Sequence, residues 1–372
     1  PLLRSLVLSL TLLTSVPSFA AVKKEFNVCW TIYAGWMPWG TISNEKIIDK
    51  WASKYGIKIN IVQLNDYIES INQYTAGQFD GCTMTNMDAL TIPAAGGVDS
   101  TALITGSYSD GNDGVVLKGA DKKLSDLKGM SVYLPELSVS HYLLVRGLEK
   151  AGLQEKDVKV VNTSDADIVS SFGTSGVRAA VAWNPQLSVI KKTPQTSEVF
   201  SSSQVPGELI DMMVVNTQTL KDNPALGKAL TGAWFEMMAK MKAGDSQALS
   251  AMAADSGTDL AGYQAQLKTT HLFWTPADTL AFISSPDLAK TMQRVAQFSF
   301  DKGLLGEGAQ SADFIGMTFP GNVTLGDAAT CLMYKERIVH NEDTPLKIYY
   351  TDRQGVPVAI DITGKEGKEK LT

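Results

Sequence analysis

The chain has 372 residues, 44% of them hydrophobic and 19% charged, with a net charge of −6. That composition supports a sizeable core and excludes a disordered chain. An acidic balance without any Lys/Arg-rich run argues against nucleic acid as a partner. Domains run to about 100–200 residues, so the length predicts two globular lobes.

At the N-terminus, Arg4 precedes the apolar run Leu6–Leu13, followed by Pro17, Ser18, Phe19 and Ala20. Small residues at Ser18 and Ala20 fit a signal-peptidase site. The run is shorter than the about 20 residues of a membrane span. Residues 1–20 therefore read as a cleaved export signal, the structural alternative being a buried first element. No later stretch is long and apolar enough to span a bilayer.

EFNVCWTIYAG (Glu25–Gly35) reads as a strand running into a loop. NEKIIDKWASKYG (Asn44–Gly56) reads as a helix capped by Asn44 and stopped by Gly56. IKINIVQL (Ile57–Leu64) alternates as a strand, DYIESINQYTAG (Asp66–Gly77) is a helix, and FDGCTMT (Phe79–Thr85) is a strand. A short helix over Met87–Gly96 follows. This βαβ alternation predicts a parallel sheet flanked by helices.

After the Gly-containing stretch Ser107–Gly114, a second α/β unit follows. It has strands at Met130–Pro135, Val158–Asn162 and Arg178–Trp183, with a helix over His141–Gly152. Leu209–Asn216 is a strand suited to return the chain to the first lobe, Leu220–Phe300 is helix-rich, and Leu346–Ile362 reads as a hairpin. The expected division is residues 21–112 and 215–340 in the first lobe, 113–214 in the second, and 341–372 as a tail. Crossovers are expected near Asp110–Gly114 and Val214–Thr217.

Cys29, Cys82 and Cys331 are odd in number and far apart, which is no disulfide framework. Cys29 and Cys82 both end strand-like runs, so they are candidate sheet neighbours; they read as buried free thiols, with a bridge between them as the alternative.

The segment DKKLSDLKGMSVYLPELSVSHYLLVRGLEKAGLQEKDVKVVN and the motif AAVAWNPQ (Ala179–Gln186) resemble the nitrate/sulfonate/taurine-type periplasmic binding proteins. Within that family, IYAGWMPWG, NDYIESINQYTAGQFDGCTMTNMDALTIPAAGGVDST and SDGNDG are similar to the group encoded beside urea carboxylase genes. The resemblance implies a two-lobed α/β fold of type II character hinged by two crossovers. It also implies an exported component of an ABC importer, monomeric, partnered by a membrane permease, without a cofactor, and binding urea or guanidine.

Ligands of open α/β sheets sit beyond the C-terminal strand ends, which selects the loops to inspect. Tyr33, Trp36 and Trp39 follow the first strand, and aromatic faces there attract cations. Core packing is the structural alternative, favoured for Trp30. Asp88 and Asn86 start a short helix after Thr85, where Asp88 is either a cap or a ligand contact. Glu136 and Ser138 start the second-lobe helix. In anion-binding relatives such a helix end would hold sulfonate or nitrate, and Glu136 would repel one. Asp66, Asp113 and Asp211 add acid near the cleft, each with solvated surface as its alternative, and the resemblance places Trp183 there too. No Arg or Lys lies in TIYAGWMPWG, TMTNMDAL or PELSVS.

Guanidinium, with its planar set of N–H donors, suits acidic and aromatic walls. Urea would turn instead to Thr85, Asn86 and Ser138. The ranking is guanidinium, then urea, with a sulfonate- or nitrate-like solute as the alternative. The histidines (His141, His271, His340) form no metal spacing, and no nucleophile elbow or phosphate loop is present. The chain thus reads as a binding protein rather than an enzyme. A ligand sensor for a membrane receptor and a cofactor-precursor enzyme are the readings from other classes.

Overall fold

The computed structural model describes residues 23–317, together with four strands between Phe319 and Asp361. The export signal expected over residues 1–20 lies outside the described residues.

The chain begins with β1 (Glu25–Thr31), α1 (Pro38–Asn44), α2 (Ile47–Lys54), β2 (Lys58–Leu64), α3 (Tyr67–Thr75) and β3 (Gly81–Thr85). Next come α4 (Asn86–Ala89), continued by a π turn over Leu90–Ala94, and the long β4 (Ser100–Ser109). The chain then enters a second sheet with β5 (Asp113–Lys118), β6 (Ser131–Leu134), α5 (Val139–Lys150), β7 (Lys159–Asn162), α6 (Ile168–Gly173), β8 (Ala179–Trp183), α7 (Gln186–Lys191) and β9 (Thr196–Ser201). It returns through β10 (Ile210–Asn216) to α8 (Thr217–Asp222), α9 (Pro224–Lys242), α10 (Ser246–Asp255), α11 (Leu260–Leu267), β11 (Thr270–Leu272), α12 (Pro276–Ile283) and α13 (Pro286–Asp301). Strands β12 (Phe319–Val323), β13 (Leu332–Lys335), β14 (Lys347–Thr351) and β15 (Pro357–Asp361) form a separate antiparallel sheet in which β14 and β15 pair as a hairpin.

Two sheets define the lobes, ordered β11-β4-β10-β3-β1-β2 and β7-β6-β8-β5-β9. One end of each sheet is parallel, β1 with β2 and β3, and β6 with β7 and β8. The sheets are nevertheless mixed rather than wholly parallel. The strands that carry the chain between lobes, β4, β5 and β10, run antiparallel to neighbours because they enter from the opposite side. The second crossover also comes earlier than expected. All of β10 pairs within the first sheet, so the chain has returned by Ile210 rather than at Val214–Thr217.

The stretch predicted as one helix from Asn44 is two. Asn44 ends α1, and Lys46, in the left-handed region (φ 60°), breaks the chain before α2.

Cys29 and Cys82 are bonded to each other, which corrects the reading of free thiols. Strands β1 and β3 run parallel with these residues in register, bringing their Cα atoms to 4.4 Å. The bond closes a segment of 53 residues. Reduction is expected to lower stability by about 2–4 kcal/mol, mostly by freeing the unfolded chain. Thermal melts with and without reductant check this; identical midpoints, with the thiols shown to be reduced, would remove the assignment of a stabilising crosslink.

Candidate functional site

The C-terminal ends of β1, β3 and β8 and the starts of β5 and β10 meet around one chamber of about 270 Å3. Tyr33, Trp36, Tyr67, Thr85, Asp113, Val139, Trp183, Leu209 and Asp211 line it.

Four of these residues are aromatic. Trp36 meets Tyr33 edge to face at 5.0 Å and lies tilted on Tyr67 at 5.6 Å. Tyr67 in turn meets Trp183 of the second lobe edge to face at 5.5 Å. Gly35 makes room for this packing, because a Cβ there would come within 2.8 Å of the Tyr33 ring and 2.9 Å of Ser107 Oγ.

Two carboxylates face the same space. Asp211 Oδ2 accepts from Ser107 Oγ at 2.7 Å and Tyr33 Oη at 3.1 Å. Asp113 Oδ2 accepts from Ser109 Oγ at 2.6 Å. Both residues are over nine-tenths buried, and neither carboxylate has a cationic partner among the chamber-lining residues. Burial pushes Asp113 up to about 7, with the negative charge of Asp88 adding to it. Burial also drives Asp211 well above the usual carboxylate range, reinforced by Asp113. Tyr33 and Tyr67 stay neutral, their phenols raised first by burial and then by the neighbouring carboxylates.

Asp88 lies behind this wall, fully buried, with Oδ2 accepting from Tyr67 Oη (2.7 Å), Thr85 Oγ1 (2.9 Å) and the Val139 backbone N–H (3.4 Å). Its other oxygen accepts nothing. Burial raises Asp88 to about 6, against the pull of those three donors.

Of the residues singled out from sequence, Tyr33, Trp36, Thr85, Asp113, Trp183 and Asp211 thus come together at the chamber, with Asp88 just behind. The others serve elsewhere. Trp39 stacks on Trp234 at 5.0 Å, beside a second cavity of about 160 Å3. Asp66 caps α3 by accepting from the Glu69 N–H, and Ser138 caps α5 by accepting from the Ser140 N–H. Asn86 holds the returning crossover, donating to the Glu208 carbonyl and accepting from the Ile210 N–H. Glu136 is exposed to solvent. Sequence reasoning missed Tyr67, Val139 and Leu209, although the loop after Leu64 and the start of the second-lobe helix were both singled out.

The lobes touch directly around the chamber. Ala34 N–H donates to the Asn184 carbonyl (3.1 Å), Trp183 Nε1 to the Ile32 carbonyl (3.4 Å), and Tyr67 N–H to Asp165 Oδ1 (3.2 Å). On the crossover side, Glu208 accepts from Tyr142 and Arg146 of α5 and from Arg294 of α13, joining elements on both sides of the junction. Burial opposes the charge on Glu208, but these partners hold its carboxyl below the usual range. Among the described residues, no cluster of His, Cys, Asp or Glu is arranged to hold a metal, and no helix is long and apolar enough to cross a membrane.

Two sheet-based lobes around a chamber at the strand ends are the architecture of two-lobed solute-binding proteins. Solved structures agree. The alkanesulfonate-binding protein SsuA from Xanthomonas axonopodis pv. citri superposes with a TM-score of 0.64 at 16% identity, covering 79% of this chain and 99% of that one. The periplasmic aliphatic sulphonate binding protein SsuA from Escherichia coli gives 0.64 at 17% identity, covering 78% and 97%. At these identities the likeness is one of fold.

The profile of the NMT1/THI5 like family matches residues 50–243, more than half of the chain, and the chain belongs to that family. In sequence it is 24% identical to the taurine-binding periplasmic protein of Escherichia coli (strain K12) over 144 residues, 38% of this chain and 44% of that protein. A candidate binding protein of Brucella abortus (strain 2308) is 33% identical over 104 residues, 28% of this chain. These matches span about a third to under half the length of the curated relatives.

Proposed function

We propose that the chain is the extracytoplasmic solute-binding component of an ABC importer, closing its lobes on a small planar nitrogen-rich solute, the guanidinium cation first and neutral urea second. The observation that carries this reading is the pairing of two buried carboxylates, Asp113 and Asp211, with four aromatic rings in a chamber lined by no Lys, Arg or His. Buried carboxylates without a counter-charge are costly. A guanidinium supplies the missing charge, donates to both acids in its plane, and offers its faces to Trp36, Tyr67 and Trp183. Urea would satisfy the acceptors without the charge.

Export to the periplasm, a monomeric state and delivery to a membrane permease belong to the same reading, supported by the taurine-binding relative and the fold. The crossovers between β4 and β5 and between β9 and β10 serve as the hinge. Ligand favours closure because only the closed form brings Asp211 and Trp183, from opposite lobes, onto it together. X-ray scattering should show a smaller radius of gyration at saturating ligand, and no change would count against hinge closure.

A second reading follows from the relatives, which include sulfonate- and taurine-binding proteins. It predicts an anion in this chamber. Titration calorimetry with guanidinium, urea, taurine and nitrate at matched ionic strength separates the two. Selective binding of guanidinium supports the cation reading. Preference for taurine or nitrate overturns it.

A further inference from the structure

Asp88, buried just behind the chamber wall, occupies a position that chemistry would assign to a ligand. Three donors converge on its Oδ2: the phenol of Tyr67, the hydroxyl of Thr85 and the first backbone N–H of α5, at Val139. Helix α5 has 12 residues, and its N-terminus carries the partial positive charge of the helix dipole. Two hydroxyl donors and a helix end form a cradle for one oxygen of a nitrate, carboxylate or sulfonate. Tyr67 and Thr85 belong to the first lobe and Val139 to the second, so an anion held there would bridge the lobes. Asp88 makes that bridge within the chain.

We propose that Asp88 is a built-in anion that fills an oxyanion cradle at the N-terminus of α5, excluding free anions and setting the chamber's preference for cations. The inference rests on the cation reading for its second half, while the cradle stands on the geometry alone. Tyr67, Thr85 and Val139 all line the chamber, so removing the Asp88 side chain opens the cradle directly onto it. The unpartnered, fully buried Oδ1 fits a side chain held by one oxygen.

The test is gain of function. Asp88→Gly should bind formate, nitrate and methanesulfonate at least tenfold more tightly than the wild type, read by calorimetry and by anion-dependent thermal shifts. The variant D88G/V139P removes the helix N–H at a position where proline is tolerated, and the gain should vanish. A folded D88G that gains no anion, or a gain that survives V139P, overturns the proposal. If D88G does not fold, Asp88→Ser, which leaves most of the cradle empty, carries the same expectation. Guanidinium titrated into the wild type keeps the two ideas apart. Anion gain in D88G with no guanidinium binding by the wild type would sink the cation reading and leave the cradle standing; cation binding without the gain would do the reverse.

Discussion

Asp211→Asn and Asp113→Asn are each expected to weaken guanidinium binding by about 10- to 150-fold, the equivalent of the roughly 1.5–3 kcal/mol of a charged hydrogen bond. Both substitutions keep shape and an acceptor oxygen while removing the charge. Affinity for urea should change by less than about threefold, because a neutral ligand gains little from a carboxylate over an amide. Asp211→Asn also places amide N–H groups toward Ser107 and Tyr33, whose hydroxyls can rotate to accept. The fold should therefore survive, and circular dichroism would verify that. Calorimetry of both ligands against both variants is the measurement. Equal losses for guanidinium and urea would mean that the carboxylates hold the chamber's shape rather than recognise charge.

The effects of the two substitutions should not add. The two acids are coupled, Asp113 being a source of the upward shift at Asp211. Neutralising one makes the survivor easier to ionise, which cushions each single variant, so a double variant should lose more than the product of the single losses.

Much of this site was legible in the sequence, and what was missed has a common physical cause. Strand ends identified the loops, and Asp113 and Asp211 were singled out as acids near those ends, which the starts of β5 and β10 bring to the chamber. At two helix starts the choice fell one residue early. Asp66 and Ser138 are N-caps, and a cap turns its side chain back onto its own helix, to the Glu69 and Ser140 N–H groups. The next residues, Tyr67 and Val139, are the ones left facing the chamber. Asn86 followed a similar logic, its amide engaged by the backbone of the crossover. Trp39 was drawn away by Trp234, nearly 200 residues on in the sequence, a partner no local pattern announces. The bond between Cys29 and Cys82 required knowing that β1 and β3 are adjacent and in register.

Proton linkage gives the other large effect. Asp113 is raised to about 7 and Asp88 to about 6 by burial, whereas in the unfolded chain both return to the ordinary aspartate range. Between those values the folded protein binds more protons than the unfolded one. A group raised in this way contributes stability that is complete below its unfolded pKa and is lost as pH rises through its folded pKa. The ligand-free protein should therefore be more stable near pH 5 than at pH 8. The difference from Asp113 alone between those two pH values is roughly 2.5 kcal/mol, at about 1.4 kcal/mol per tenfold change in proton affinity. Asp113→Asn should flatten much of that slope. Ligand reverses the dependence. A guanidinium needs the ionised carboxylates, so its binding expels protons and strengthens as pH rises, by about 50-fold between pH 5 and 7 for one proton and more if Asp211 also titrates. Calorimetry in buffers of different ionisation enthalpy would count the protons released. Thermal melts from pH 5 to 8, with and without guanidinium, should show the ligand-induced increment growing with pH. An increment independent of pH, with no proton release, would mean that the acids are already ionised in the empty chamber, and that some other positive charge compensates them.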